Sequence, residues 1–357
     1  MNQQAFNNMV LQFYPVYLRR AILKAAVEEG LVINNKKQDP DQIRLNLNDT
    51  LDVTDDDTLE KKLNHILQSE EICAFIEEYE YRKAYKHFCY FQIAGVDIER
   101  IKKLADEGMF NVFSKSCKRC IDDSNKPTIF SNGDTIFLKF SYILKNYEGV
   151  EIKYVILAIL DINNSLLEIR FDKIGLAFKE TETFYKDKIS KILEFINTKL
   201  GIVVSNIDFK AIVEYMINEE KEISVIAQQM TRNGTTAYLQ ADEDDNTIPI
   251  LGELDRFIKE EDELFSRSND TRVLKQRLQT FIDDIKIKSD LPKVIIRFEE
   301  FNVKIGISHN YKGTDFSLFL LYGDLLREKE VMGNVRKYLM QCREELNNLA
   351  PSLPVSS

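Results

Sequence analysis

The chain has no tryptophan and only three histidines, His65, His87 and His309, in 357 residues. So small a histidine stock leaves few candidates for general acid–base work near neutral pH. Glycine is scarce too, at 13 residues, and none of them builds a G-x-x-x-x-G-K-[ST] loop or a G-x-G-x-x-G turn. A standard nucleotide cradle, which needs bare backbone amides at a glycine-rich turn, is therefore disfavoured. No G-x-S-x-G elbow occurs, which removes the serine-hydrolase signature built on that turn. No run approaches the roughly 20 apolar residues that a membrane helix requires. The opening MNQQAFNN lacks the basic start and short apolar core of a secretory signal. Five cysteines, an odd count in so long a chain, fit a reducing compartment better than a disulfide framework. A soluble, cytoplasmic protein is the expectation.

What is present is ordinary for a globular protein: 44% hydrophobic and 30% charged residues. The length suggests two domains. The net charge of −10 disfavours phosphate backbones and anionic membranes at long range, without excluding a local basic groove. The abundance of Lys, Asn and Ile matches an AT-rich genome such as that of a low-GC bacterium.

Hydrophobic periodicity divides the chain by texture. Phe6, Met9, Val10 and Phe13, then Leu18, Ile22, Ala25 and Ala26, follow a helical period interrupted at Pro15 and stopped at Gly30. Residues 34–57 read as a polar loop. Asp57 with Glu60 has capping-box spacing for a helix through Leu63 and Ile66. Further helices are expected over Glu70–Phe91 and Asp97–Ala105. From Thr128 the pattern becomes strand-like, with an antiparallel meander over 135–144, 150–160 and 166–171. Helices ending near Gly201 and over Phe209–Ile217 follow. A hairpin then turns at Asn233-Gly234, and Asp242–Asp245 reads as a solvated turn without the ligands and glycine of an EF-hand loop. Two amphipathic helices over 250–265 and 271–287 are expected to pack on their own sheet. A last meander begins at Pro292, and a helix over 325–349 closes the chain. Leu167–Asp172 and Ile295–Glu299 resemble each other, which chance similarity of amphipathic strands explains as well as duplication does. The expected fold class is α+β: a helical N-terminal region over 1–126, then antiparallel β-meanders flanked by helices over 127–357, with a sub-boundary near 241–250.

Three side-chain sets carry candidate chemistry. His87 and Cys89, with the C-x-x-C pair Cys117 and Cys120, supply four ligands of the kinds that close a structural zinc site. Against this, an H-x-C pair in a helix points its side chains in different directions. Cys89 as a small core residue is the plainer reading. Zinc deamination is excluded, because Cys89 and Ser116 stand where that pattern needs Glu and Pro. The second set is basic: Arg100, Lys102, Lys103, Lys115, Lys118, Arg119 and Lys126, with Phe110 and Phe113 among them. Cations for phosphate and rings for stacking are what a nucleic-acid surface uses. The alternative is a solvated lysine-rich face with both rings in the core. The third is Asp161 at a strand end and Glu168-Ile169-Arg170 in the next strand, the layout in which metal-dependent nucleases hold a divalent cation. Arg170 replaces the lysine usual there and cannot accept a proton.

The expected function is a non-catalytic intracellular binding or assembly protein with a protein partner or homo-oligomeric state. Nucleic acid is a candidate partner, and a bacterial multi-protein system such as phage defence a candidate setting. The alternative is a metal-dependent nuclease using Asp161 and Glu168. No cofactor is required beyond the candidate zinc. Reversing Lys115, Lys118 and Arg119 to Glu is expected to weaken nucleic-acid binding in a gel-shift titration. Unchanged binding, or none by the wild type, removes that reading.

Overall fold

A computed structural model describes residues 3–35, 51–54, 57–113, 125–219, 222–232, 234–241, 251–288, 290–323 and 331–349. The fold is α+β, as the periodicity predicts. Packing divides the chain into two units: Met1–Ser205 with Leu325–Lys329, and Asn206–Asp324 with Glu330–Ser357. Residue 126 lies within the first unit.

The first unit opens with α1 (Gln3–Phe13), α2 (Val16–Glu28), β1 (Val32–Asn35), β2 (Leu51–Thr54), α3 (Leu59–Ile66) and α4 (Glu70–Arg82). Pro15 separates α1 from α2, because it lacks an N–H and holds the preceding residue out of helical geometry. The cap of α3 is Thr58 rather than Asp57; its hydroxyl accepts from Lys61 N at 3.3 Å. These elements share a core that includes Val10, Tyr14, Ile22, Leu63, Ile66, Ile72 and Ile76.

The expected helix over Glu70–Phe91 is half strand. α4 stops at Arg82, and His87–Ala94 forms β3. The aromatic and β-branched run there is buried on both faces, and such a run suits an inner strand better than a helix with one wet side. After β3 come α5 (Ile98–Asp106), β4 (Asn111–Val112), β5 (Thr128–Asn132), β6 (Thr135–Lys145), β7 (Glu151–Asp161), β8 (Leu166–Phe171), α6 (Phe184–Phe195) and β9 (Val203–Asn206). Within the unit the strand order is β3-β8-β7-β6-β5-β4. Pairs are antiparallel except β4 with β5.

The register sorts the sheet's two faces. Phe140, Ile156, Phe171 and His87 are cross-strand neighbours on one face. Phe195 and Tyr185 of α6 pack there, against Phe140 and Phe171. The other face carries Lys139, Lys153, Asp161, Glu168 and Arg170. Lys139, Lys153, Asp161 and Glu168 are buried. Charges on the inner face of a sheet are rare unless paired, and this face is where the candidate site begins.

The second unit contains α7 (Phe209–Asn218), β10 (Ile223–Arg232), β11 (Thr235–Gln240), α8 (Leu251–Glu260), α9 (Asp262–Phe265), α10 (Asn269–Lys288), β12 (Asp290–Phe298), β13 (Val303–Ser308), β14 (Leu318–Tyr322) and α11 (Val331–Leu349). Its antiparallel sheet runs β11-β10-β12-β13-β14. Ile258, Phe265 and Ile282 seat α8, α9 and α10 on Met230 and Leu239, which matches the expectation that these helices pack on their own sheet. β8 and β12, the strands that resemble each other, are both inner strands. The likeness stops at Arg170, which pairs with Glu168, because Ile295 stands two residues before Arg297.

α6 continues through a π-helical turn, Ile196–Leu200, and ends at Gly201 in the left-handed region with φ +72°. The Arg100 guanidinium lies against Gly201 and donates to Lys199 O at 3.4 Å. A Cβ at Gly201 would stand 2.5 Å from Arg100 Nη1, a contact that a flexible side-chain end relieves by moving. The left-handed backbone is the larger cost. Gly201→Ala is expected to lower stability by about 1 kcal/mol in urea unfolding, and Gly201→Asn by less. Equal losses would mean that the contact with Arg100, not the backbone, sets the requirement.

Candidate ligand-binding site

The charged face of the first unit's sheet is met by α4 and α1. Glu80 of α4 is the centre. Its Oε2 accepts from Lys139 Nζ at 2.8 Å, and its Oε1 and Oε2 accept from Lys153 Nζ at 2.9 and 3.1 Å. The Tyr14 hydroxyl donates to Glu80 Oε1 and accepts from Lys153 Nζ at 3.4 Å. Glu77, one helical turn earlier, takes a second bond from Lys139 at 2.9 Å. Two ammoniums thus meet two carboxylates on the inner face. Burial alone would raise the Glu80 pKa, but Lys139 and Lys153 outweigh it and hold the carboxyl down at about 2. Burial, followed by Glu80 and Glu77, pushes the Tyr14 phenol well above its ordinary value, so it stays a neutral donor.

A second ion pair lies where α4 ends. Lys83, buried, bonds to Asp172 just after β8, and its ammonium also sits 3.7 Å from the Tyr85 ring centre. Asp172 Oδ1 accepts from Lys86 N at 3.4 Å, and the Tyr85 hydroxyl donates to Glu80 O at 2.5 Å. The Asp172 backbone carbonyl receives the Tyr154 hydroxyl at 3.1 Å, and burial together with the charge of Asp172 pushes the Tyr17 phenol up.

A cavity of about 310 Å³ opens over these two pairs, within the size range of small-molecule sites. One wall is the Pro15 corner and the start of α2, where no side chain caps the first turn. The opposite wall is the start of β7 and the segment after β8. Tyr14, Tyr17, Tyr154 and Phe178 supply rings, and Glu80, Lys83, Lys153 and Asp172 supply the charged floor. Arg19 is at the α2 wall. Its Nη1 donates to Leu11 O at 3.0 Å, and its buried Nε has no hydrogen-bond partner.

The sequence-predicted residues fall elsewhere. Asp161 and Glu168 do share a face, but Asp161 accepts from Asn164 N and Nδ2 at 3.2 and 2.8 Å, fixing a turn. Glu168 is held by both arms of Arg170 at 2.6 and 2.8 Å. His87 and Cys89 lie in a strand, so they share a face; the expectation that a helix would part them is corrected. The His87 ring packs against Phe171 and Tyr185. Cys89 is fully buried, and burial, then Glu168, pushes its thiol up, away from the thiolate that binds metal. Among the described residues no group of three or more His, Cys, Asp and Glu side chains is placed to hold a metal ion. Cys117, Cys120, Lys115, Lys118 and Arg119 lie outside the described residues. Of the remaining basic set, three are on α5: Arg100 lies against the end of the α6 helix, Lys102 pairs with Glu99, and Lys103 with Glu107 just past the helix. Lys126 is exposed. Phe110 packs on Phe195, and Phe113 on Tyr81 and Phe130, so both rings belong to the core.

The residues that sequence reasoning missed are Glu80, Lys139, Lys153, Lys83 and Asp172. A signal existed for two of them: Lys139 in TIFLKFSYILK and Lys153 in EIKYVILAILD are cations inside long, mainly apolar strands. No family model matches the chain, and no curated protein matches it.

Glu80→Gln leaves Lys153 without its carboxylate and is expected to cost about 3 kcal/mol in urea unfolding at neutral pH. The Glu80 pKa is lower in the folded chain than its ordinary 4.5. Its stabilisation is therefore complete above pH 4.5 and is lost as pH falls toward 2. The wild type should lose stability more steeply than Glu80→Gln across that window. Parallel acid slopes would remove Glu80 from the centre of the network.

Proposed function

We propose that the chain is a non-catalytic binding protein and that the cavity of the first unit holds its ligand. The observation that carries this reading is the floor of the cavity. Charged side chains are buried there at the cost of their hydration, and they are fixed in place by one another rather than left able to exchange protons. Glu80 stays ionised and Tyr14 stays neutral through the physiological range, so neither is poised as a general acid or base. Among the described residues no histidine or cysteine lines the cavity. A rigid, pre-paired floor under aromatic walls suits recognition, since it orients a ligand without rearranging. The carboxylate-pair alternative gains no such support, because Asp161 and Glu168 are already engaged by Asn164 and Arg170.

The test is a fragment screen by ligand-observed NMR on the full chain, with Val16→Trp as the blocked control. Val16 is an exposed residue on the cavity wall, 46% accessible, so a larger side chain fits there without disturbing the core. Fragments that bind the wild type should be lost in Val16→Trp. A set with no binder, or binders that persist in the variant, overturns the reading.

A further inference from the structure

On the floor of the cavity the carboxylates are engaged by the protein while cationic donors remain, and Glu151 on the wall faces Lys145 at 3.7 Å. Each Glu80 oxygen accepts two bonds, so that carboxylate has nothing left for a ligand. Asp172 has one oxygen on Lys83 and the other on the Lys86 amide. The phenols of Tyr14 and Tyr154 donate inward, to Glu80 and the Asp172 carbonyl. The donors are not used up. Lys83 directs one N–H to Asp172 and its charge to the Tyr85 ring, which leaves a further N–H. Arg19 uses Nη1 on Leu11 O, and its Nε is buried and unpartnered. That Nε is sealed from the cavity as well, but the remaining guanidinium nitrogen, Nη2, makes no hydrogen bond among the described residues and is left to donate to something in the cavity. Lys173 adds an exposed cation at the same wall. The lining side chains Arg19, Lys83, Lys153 and Lys173 carry one more charge than Glu80, Glu151 and Asp172. The uncapped start of α2 has the same positive sign.

Resting on the reading of this cavity as a ligand site, we propose that its ligand is a small anion with a flat ring body. The anionic group would accept from Arg19 and Lys83, and the ring would lie among Tyr14, Tyr17, Tyr154 and Phe178. A carboxylate and a phosphate monoester share this chemistry, and both suit a guanidinium fork beside an ammonium.

The experiment uses the full chain and four probes with one ring: phenylacetate, phenyl phosphate, 2-phenylacetamide and 2-phenylethylamine, titrated by calorimetry or NMR. At least one anion should bind about tenfold more tightly than the neutral amide, the margin of one charge-assisted hydrogen bond, and the amine should bind most weakly. The tighter of the two anions assigns the group. Arg19→Gln should remove about that tenfold for the anions and leave the amide unchanged, with Arg19→Lys between. If the amide or amine binds as well as the anions, the anion inference falls while the cavity remains a ligand site. If Arg19→Gln binds the anions as the wild type does, the inference falls likewise. If no probe binds at all, the anion inference falls with them, and the fragment screen against Val16→Trp decides separately whether the cavity takes any ligand.

Discussion

Pairing of buried charge is the constraint on which the first unit depends. A carboxylate taken out of water costs several kcal/mol unless neighbours replace its hydration. Glu80 meets that demand with contributions from four separate parts of the chain. Its own helix α4 presents it, β6 and β7 bring Lys139 and Lys153, and the corner just after α1 brings Tyr14. None of these elements can shift register alone, since a one-residue slip of β6 or β7 would turn its lysine to the opposite face. The opposite face is aromatic and aliphatic, packed on α6, and a lysine there would have no carboxylate. The ion network therefore selects one arrangement of sheet and helices, a role that hydrophobic area, being non-directional, does not fill.

Most of the fold was legible because most of its elements declare themselves locally. The meander over β6, β7 and β8 follows from β-branched and aromatic runs parted by Asn146–Gly149 and Asn163–Ser165. Gly201 marks the end of the α6 helix, and Pro15 divides α1 from α2. The failure at α4 is instructive. Nothing between Arg82 and His87 is a glycine or proline, so local rules carry the helix onward into Phe91. What ends it is Asp172, which takes the Lys83 ammonium and the Lys86 amide from ninety residues away in sequence. A stop signal made of tertiary contacts has no local trace.

The candidate site was nearly illegible for the same reason. Motif reasoning looks for residues close in sequence, and it found His87 with Cys89 and Glu168 with Arg170. Both pairs proved to be accommodated by the core, one among aromatic rings and the other as a self-contained ion pair. The residues that line the cavity are spread from Gln12 to Phe178. Only Lys139 and Lys153 broke a pattern visible in the sequence, as cations inside long, mainly apolar strands. Strand alternation would have sent each to solvent, and the burial of both follows from α4 lying across them.

The closure of α4 by Asp172 also orders events during synthesis. Residues 83 to 86 leave the ribosome well before Asp172 does, and domains assemble as their parts emerge. Until β8 has been made, Lys83 has no carboxylate and the helix has no fixed end. Glu80 likewise waits for Lys139 and Lys153. The N-terminal helices can gather around Val10, Ile22 and Ile76 early, but their last turn and the cavity above it can settle only when the central strands arrive. Contacts that span so much sequence slow assembly, and here they make completion of the cavity wait for the central strands.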